Sequence, residues 1–99
     1  MALKVRLHKR ARQDLDDIRD YLLKHASARS AERVRAHLRT KIGRLATLPR
    51  MGAPTSDASI RILPPTRYPY RIYYTIKPNE VVVLHIRHAA RRAPDDLQP

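Results

Sequence analysis

A chain of 99 residues is enough for one domain around one hydrophobic core, burying roughly two-thirds of the surface its unfolded form exposes. It carries 21 lysines and arginines against 9 carboxylates, a formal charge of +12, which calls for an acidic partner such as nucleic acid or an acidic protein segment. No cysteine is present, so a disulfide framework and a thiolate zinc site are excluded; no apolar run approaches the ~18 residues of a membrane span. Met1–Arg6 is too short and too charged for a secretory leader. The expectation is a cytoplasmic protein without cofactor, metal or membrane association.

Leu3, Val5 and Leu7 alternate with Lys4, Arg6 and His8, which predicts a half-buried strand over residues 2–8. From Lys9 to Ala26 the apolar positions Ala11, Leu15, Ile18 and Leu22 fall at helical spacing, uninterrupted by Gly or Pro. Asp14, Asp16, Asp17 and Asp20 lie on this helix, offset by basic neighbours three or four residues away. A connection through Ser27–Ser30, with Ser30 as N-cap, leads into a second helix over 30–48. Its apolar stripe is Ala31, Val34, Leu38, Ile42, Leu45 and Leu48, and its outer surface carries Arg33, Arg35, Arg39, Lys41 and Arg44 against only Glu32. Two helices joined so tightly must lie antiparallel, and their joint stripe needs a sheet to cover.

Pro49 and Gly52 end the helix and turn the chain, and Thr55–Ser59 reads as polar linker. A strand over 59–63 is halted by Pro64-Pro65. The longest β signal follows: runs over 69–76 and 81–88 bent around Lys77-Pro78-Asn79-Glu80. Tyr70, Ile72, Tyr74 and Ile76 share one face, which Leu84 and Ile86 are expected to join as the floor of the core; Arg71 and Arg87 fall on the other. Past His88 periodicity is lost, and a basic tail over 89–99 is expected to fray. The predicted class is α+β: one domain with an N-terminal strand, an antiparallel helical hairpin, and a three-stranded antiparallel meander packed on it.

In this order, particular residues resemble the ParE/RelE family of bacterial type II toxins. They are Asp14-Leu15 with Ile18 and Tyr21, Leu45-x-x-Leu48-Pro49-x-x-Gly52, Arg61-x-Leu63, Tyr70-Arg71-Ile72-x-Tyr74, and Val83-Leu84-His85-Ile86-Arg87-His88-Ala89-Ala90-Arg91. The resemblance implies a toxin in a hetero-oligomer with an antitoxin, whose extended acidic segment wraps it. Two targets follow from it. RelE-like members are similar to ribosome-dependent mRNA endonucleases, for which Arg61, Arg71 and Arg91 match the basic positions and His88 stands beside the expected proton donor. At the donor's own positions this chain has Ala89 and Ala90. ParE-like members poison DNA gyrase by binding, and the Pro49-x-x-Gly52 and His88-x-x-Arg91 signals are closer to that branch. The expected reading is therefore a gyrase inhibitor rather than an enzyme, with ribosome-bound mRNA as the alternative target and a non-toxic nucleic-acid-binding module as a further one.

The residues expected to meet the target or the antitoxin are Arg61, Arg71, Arg87, His88, Arg91 and Arg92. Placed side by side on a solvent face, Arg71 and Arg87 repel each other, which favours an acidic partner there. His85-x-x-His88 has a metal-like spacing, but on a strand the two side chains point to opposite faces. Tyr68, Tyr70, Tyr73 and Tyr74 could offer stacking surfaces to bases, yet Tyr70 and Tyr74 belong to the core face, where packing is the better account.

Overall fold

Local sequence signals fix the first half of the chain. A computed structural model of the protein describes residues 2–90; strand β1 spans Lys4–Leu7, helix α1 Lys9–His25 and helix α2 Ala28–Arg44. Strand passes to helix at His8, whose amide donates to the Val83 carbonyl (2.8 Å) while its ring Nδ1 accepts from the Arg10 amide (3.1 Å). One residue thus closes the strand and caps the helix. The cap of α2 is Ser27, not Ser30: the Ser27 hydroxyl accepts from the Ser30 amide at 3.0 Å, so Ser30 already lies in the first turn.

The second helix also ends earlier than its apolar stripe suggests. After Arg44 the amides of Leu45, Ala46 and Thr47 bond three residues back, a tighter winding. Pro49 disfavours helical backbone at the residue before it, and Leu48 is left exposed. Lys41, counted with the outer cations, is in fact buried, and its Nζ donates to the Pro64 carbonyl at 2.7 Å.

Strands β2 (Ala53–Pro54), β3 (Arg61–Leu63), β4 (Tyr70–Ile76) and β5 (Glu80–His88) complete a five-stranded sheet in the order β1-β5-β4-β3-β2. The meander β3-β4-β5 is antiparallel, and β1 joins β5 in parallel, with Val5 opposite Val81. The two-residue β2 falls where the sequence predicts only the turn after α2. It pairs with β3 through Ala53↔Ile62 and Pro54↔Arg61, and a proline is tolerated there because the strand is an edge. The expected linker is equally well built: the Thr55 amide and hydroxyl both donate to the Ile60 carbonyl, and the Asp57 carboxylate accepts from the amide and hydroxyl of Ser59. Those two bonds hold the Asp57 pKa below its ordinary value.

The core has two layers. Against the helices lie Val34, Leu38, Ile42, Leu63, Ile72, Tyr74, Val81, Val83 and Ile86, with Leu15, Ile18 and Leu22 of α1 half-buried at the margin. On the far face Ile60, Tyr73, Val82 and Leu84 form a smaller buried cluster beneath the 55–60 loop, which the Thr75 hydroxyl ties down through the Ser59 carbonyl (2.6 Å). Leu84 is thus on the opposite side from Ile86, contrary to strict alternation. The cause is a bulge: Tyr73 pairs with His85 but Tyr74 pairs with Val83, so β5 spends one extra residue. The far face is therefore apolar in the middle and basic only at its end.

Candidate functional site

Arg71 and Arg87 are directly opposed partners at the open end of the β4–β5 hairpin, on the face away from the helices. Both are half-buried. Arg71 donates through Nη1 to the Ala89 carbonyl at 3.0 Å, which aligns it along the end of β5. The Nε of Arg87 is buried with no hydrogen-bond partner among the described residues. Neither guanidinium has a carboxylate within ion-pair distance among the described residues. Two like charges fixed this way cost energy until an anion arrives.

Arg61 is not part of this pair. It opposes Tyr74 on the helix side, and its guanidinium donates to the carbonyls of Gly52 (Nε, 2.9 Å) and Arg50 (Nη2, 3.1 Å). Tyr74 grips the same turn: its buried hydroxyl donates to the Pro49 carbonyl (2.7 Å) and accepts from the Gly52 amide (2.9 Å). Glycine is required at 52 because a Cβ there would lie 2.6 Å from the Ile62 carbonyl oxygen. The Arg61 and Pro49-x-x-Gly52 signals are thus halves of one clamp.

His88 also faces away from the arginines. It opposes Tyr70 on the helix side, their rings edge-to-face at 5.6 Å, and its Nδ1 accepts from the Ala90 amide at 3.1 Å. His85 is buried at the edge of β5, its Nδ1 3.3 Å from the Asp14 carboxylate of α1. The same oxygen accepts the Ile86 amide at 2.9 Å. β1 has ended at Leu7, opposite Val83, so Asp14 takes an amide that no strand remains to meet. Arg91 and Arg92, the last of the expected contact residues, lie outside the described residues.

A second basic feature escaped sequence reasoning. On α2, Arg33, Ala36, His37 and Thr40 line one side of a cavity of about 480 Å³, and Arg67 and Tyr68, from the segment between β3 and β4, line the other. His37 bonds through Nε2 with the Thr66 hydroxyl (3.2 Å) and meets the Tyr68 ring edge-on at 5.2 Å; the Arg67 guanidinium lies over that ring at 5.7 Å. Burial first, then the charges of Lys41, Arg67 and Arg44, hold the His37 pKa below its ordinary value. The signal was the recurrence of Arg33, His37, Thr40 and Arg44 at spacings of four, three and four, which lines them up on one stripe.

A basic α+β domain with a helical hairpin on one face of a mixed sheet, and a paired-arginine end on the other, is the architecture these elements define. Among solved structures, the chromosomal ParDE toxin-antitoxin system from P. aeruginosa is similar to it, with a TM-score of 0.79 at 20% identity over 88% of this chain and 96% of that one. No curated protein matches the chain. Residues 5–93 match the family described as ParE toxin of type II toxin-antitoxin system, parDE, and the chain belongs to that family.

Proposed function

We propose that this toxin acts by binding DNA gyrase rather than by cutting RNA, and that an antitoxin restrains it with an acidic segment. The observation that carries the reading is the composition of the Arg71–Arg87 end. Cleavage of a phosphodiester by a 2′-hydroxyl needs a base and an acid beside the cations that bind the phosphate. Among the described residues this end presents the cations without an accessible acid or base beside them. Tyr73 of the same face is buried in the apolar cluster, and its strand partner His85 is buried against Asp14. His88, the nearest titratable ring in sequence, is on the opposite face with one nitrogen engaged by a backbone amide. An acidic antitoxin segment would relieve the repulsion between the arginines, while its apolar side chains would cover Leu15, Ile18 and Leu22 at the half-buried margin of the helices.

Purified toxin should block gyrase supercoiling, and His88→Ala should block it equally well. Arg71→Glu with Arg87→Glu should weaken inhibition at least tenfold and slow antitoxin association, with the wild-type association rate falling as salt rises. Defined mRNA cuts on translating ribosomes, lost in a folded His88→Ala variant, would overturn the proposal and make the protein a nuclease.

A further inference from the structure

The cavity between α2 and the β3–β4 segment is on the helix side of the sheet, whereas the arginine pair is on the other. Its own chemistry is specific enough to define a ligand. Two arginines line it, Arg33 from the helix and Arg67 from the loop, the latter with its guanidinium over the Tyr68 ring. Both are exposed, and neither is in an ion pair among the described residues. The loop that carries Arg67 is fastened to α2 by buried Lys41, whose Nζ holds the Pro64 carbonyl, and by the His37–Thr66 bond. The two walls of the cavity are therefore held together without a ligand. Thr40 is not a donor to the cavity, because its hydroxyl is spent on the Ala36 carbonyl at 3.0 Å.

We propose that this cavity is a phosphate-binding notch for the backbone of a nucleic acid, with Arg33 and Arg67 as its two cationic jaws. Arginine is the side chain whose planar fork fits phosphate oxygens. The notch is open to solvent, and its volume of about 480 Å³ leaves room for a nucleotide unit. The rings of Tyr68 and His37 give it an aromatic wall against which a sugar or base edge can rest. Arg44 continues the stripe; at 1.5 Å per residue it stands about 16 Å from Arg33 along the helix, far enough to meet a phosphate further along the same strand. His37, whose pKa is held below its ordinary value by burial first and then by the charges of Lys41, Arg67 and Arg44, should have that pKa raised by a phosphate that offsets those charges. The groups facing it are Lys41 and Arg44 of its own helix and Thr66, Arg67 and Tyr68 of the loop.

The test measures binding of the full-length toxin to a fluorescein-labelled 12-nucleotide DNA strand by anisotropy across a salt series. Arg33→Gln and Arg67→Gln should each weaken binding on the order of fivefold and lower the slope of log K against log salt by about 0.7, the single-strand value for one lost phosphate contact. Arg35→Gln, which removes a cation paired with Glu32, and Arg39→Gln should change affinity less than twofold. The proton resonances of the His37 ring should titrate at higher pH with the strand bound than without it. Unchanged circular dichroism and melting would show that the variants are folded. Equal losses in all four variants would overturn the proposal, since affinity would then be diffuse charge. So would a poly-glutamate peptide whose binding is lost in Arg33→Gln and Arg67→Gln while the strand binds as before, which would make the notch a carboxylate site.

Discussion

Replacing Tyr74 with phenylalanine removes one oxygen and with it two hydrogen bonds, to the Pro49 carbonyl and from the Gly52 amide. The ring is fully buried and stays so, which isolates the hydroxyl from any change in apolar burial. The Gly52 amide is left buried without an acceptor, at a cost of about 1–3 kcal/mol; the Pro49 carbonyl, partly open to water, loses a net bond of about 1 kcal/mol. The sum, about 2–4 kcal/mol, is a large share of the ~5–15 kcal/mol expected for a domain of this size. With each kcal/mol moving the midpoint by about 4–8 °C, the melting temperature should fall by on the order of 15 °C. Urea unfolding should shift its midpoint down by about 1–3 M at unchanged slope. Arg61→Gln releases the same turn from the other side, so the double variant should lose less than the sum of the single losses. A Tyr74→Phe loss below about 0.5 kcal/mol in a folded protein, or strict additivity with Arg61→Gln, would refute the idea that these two side chains clamp one turn.

Asp14→Ala should cost about 1–3 kcal/mol by stranding the Ile86 amide, and Asp14→Asn should recover most of that because its amide oxygen still accepts; hydrogen exchange at Ile86 reads the difference directly. For His37 the folded pKa is lowered, so the unfolded chain takes up the proton first. Its contribution to stability is therefore lost as pH falls through the ordinary value of about 6.5 and levels off below the folded value. Urea midpoints measured at pH 7.5 and 5 should draw apart less in His37→Gln than in the wild type, and an unchanged gap would remove His37 from the acid limb.

Helix existence, the apolar stripes and the order of the elements were legible because each is a local pattern repeated over several turns or pleats. Ala11, Leu38 and Ile72 are buried as their spacing required. What periodicity could not convey was the bulge at Leu84, because an inserted residue leaves the one-letter pattern intact and only the partner strand reveals the slip. The cap moved from Ser30 to Ser27 for a similar reason: both serines satisfy the same rule, and the choice depends on where the helices meet. Arg61, Arg71 and Arg87 read alike as basic strand residues, yet Arg61 is spent on two backbone carbonyls while the others remain opposed and without ion pairs among the described residues. The notch at Arg33 and Arg67 joins a helix to a loop more than thirty positions later, a proximity that no local pattern encodes.

The parallel pairing of β1 with β5 has a consequence for when the toxin comes into being. Among the described residues, positions 4–7 find their strand partners at 80–83, so β1 cannot pair until a segment more than seventy positions later has been made. Until β5 has been made, α1 has no floor for Ala11, and neither the Ile86 amide that donates to Asp14 nor the Val83 carbonyl that accepts the His8 amide is present. Contacts this distant in sequence are formed late and together. A product ending before residue 80 lacks the central strand of the β1–β5–β4 pairing and the partner of Arg71. The opposed-arginine end is thereby assembled only once both halves of the fold are present.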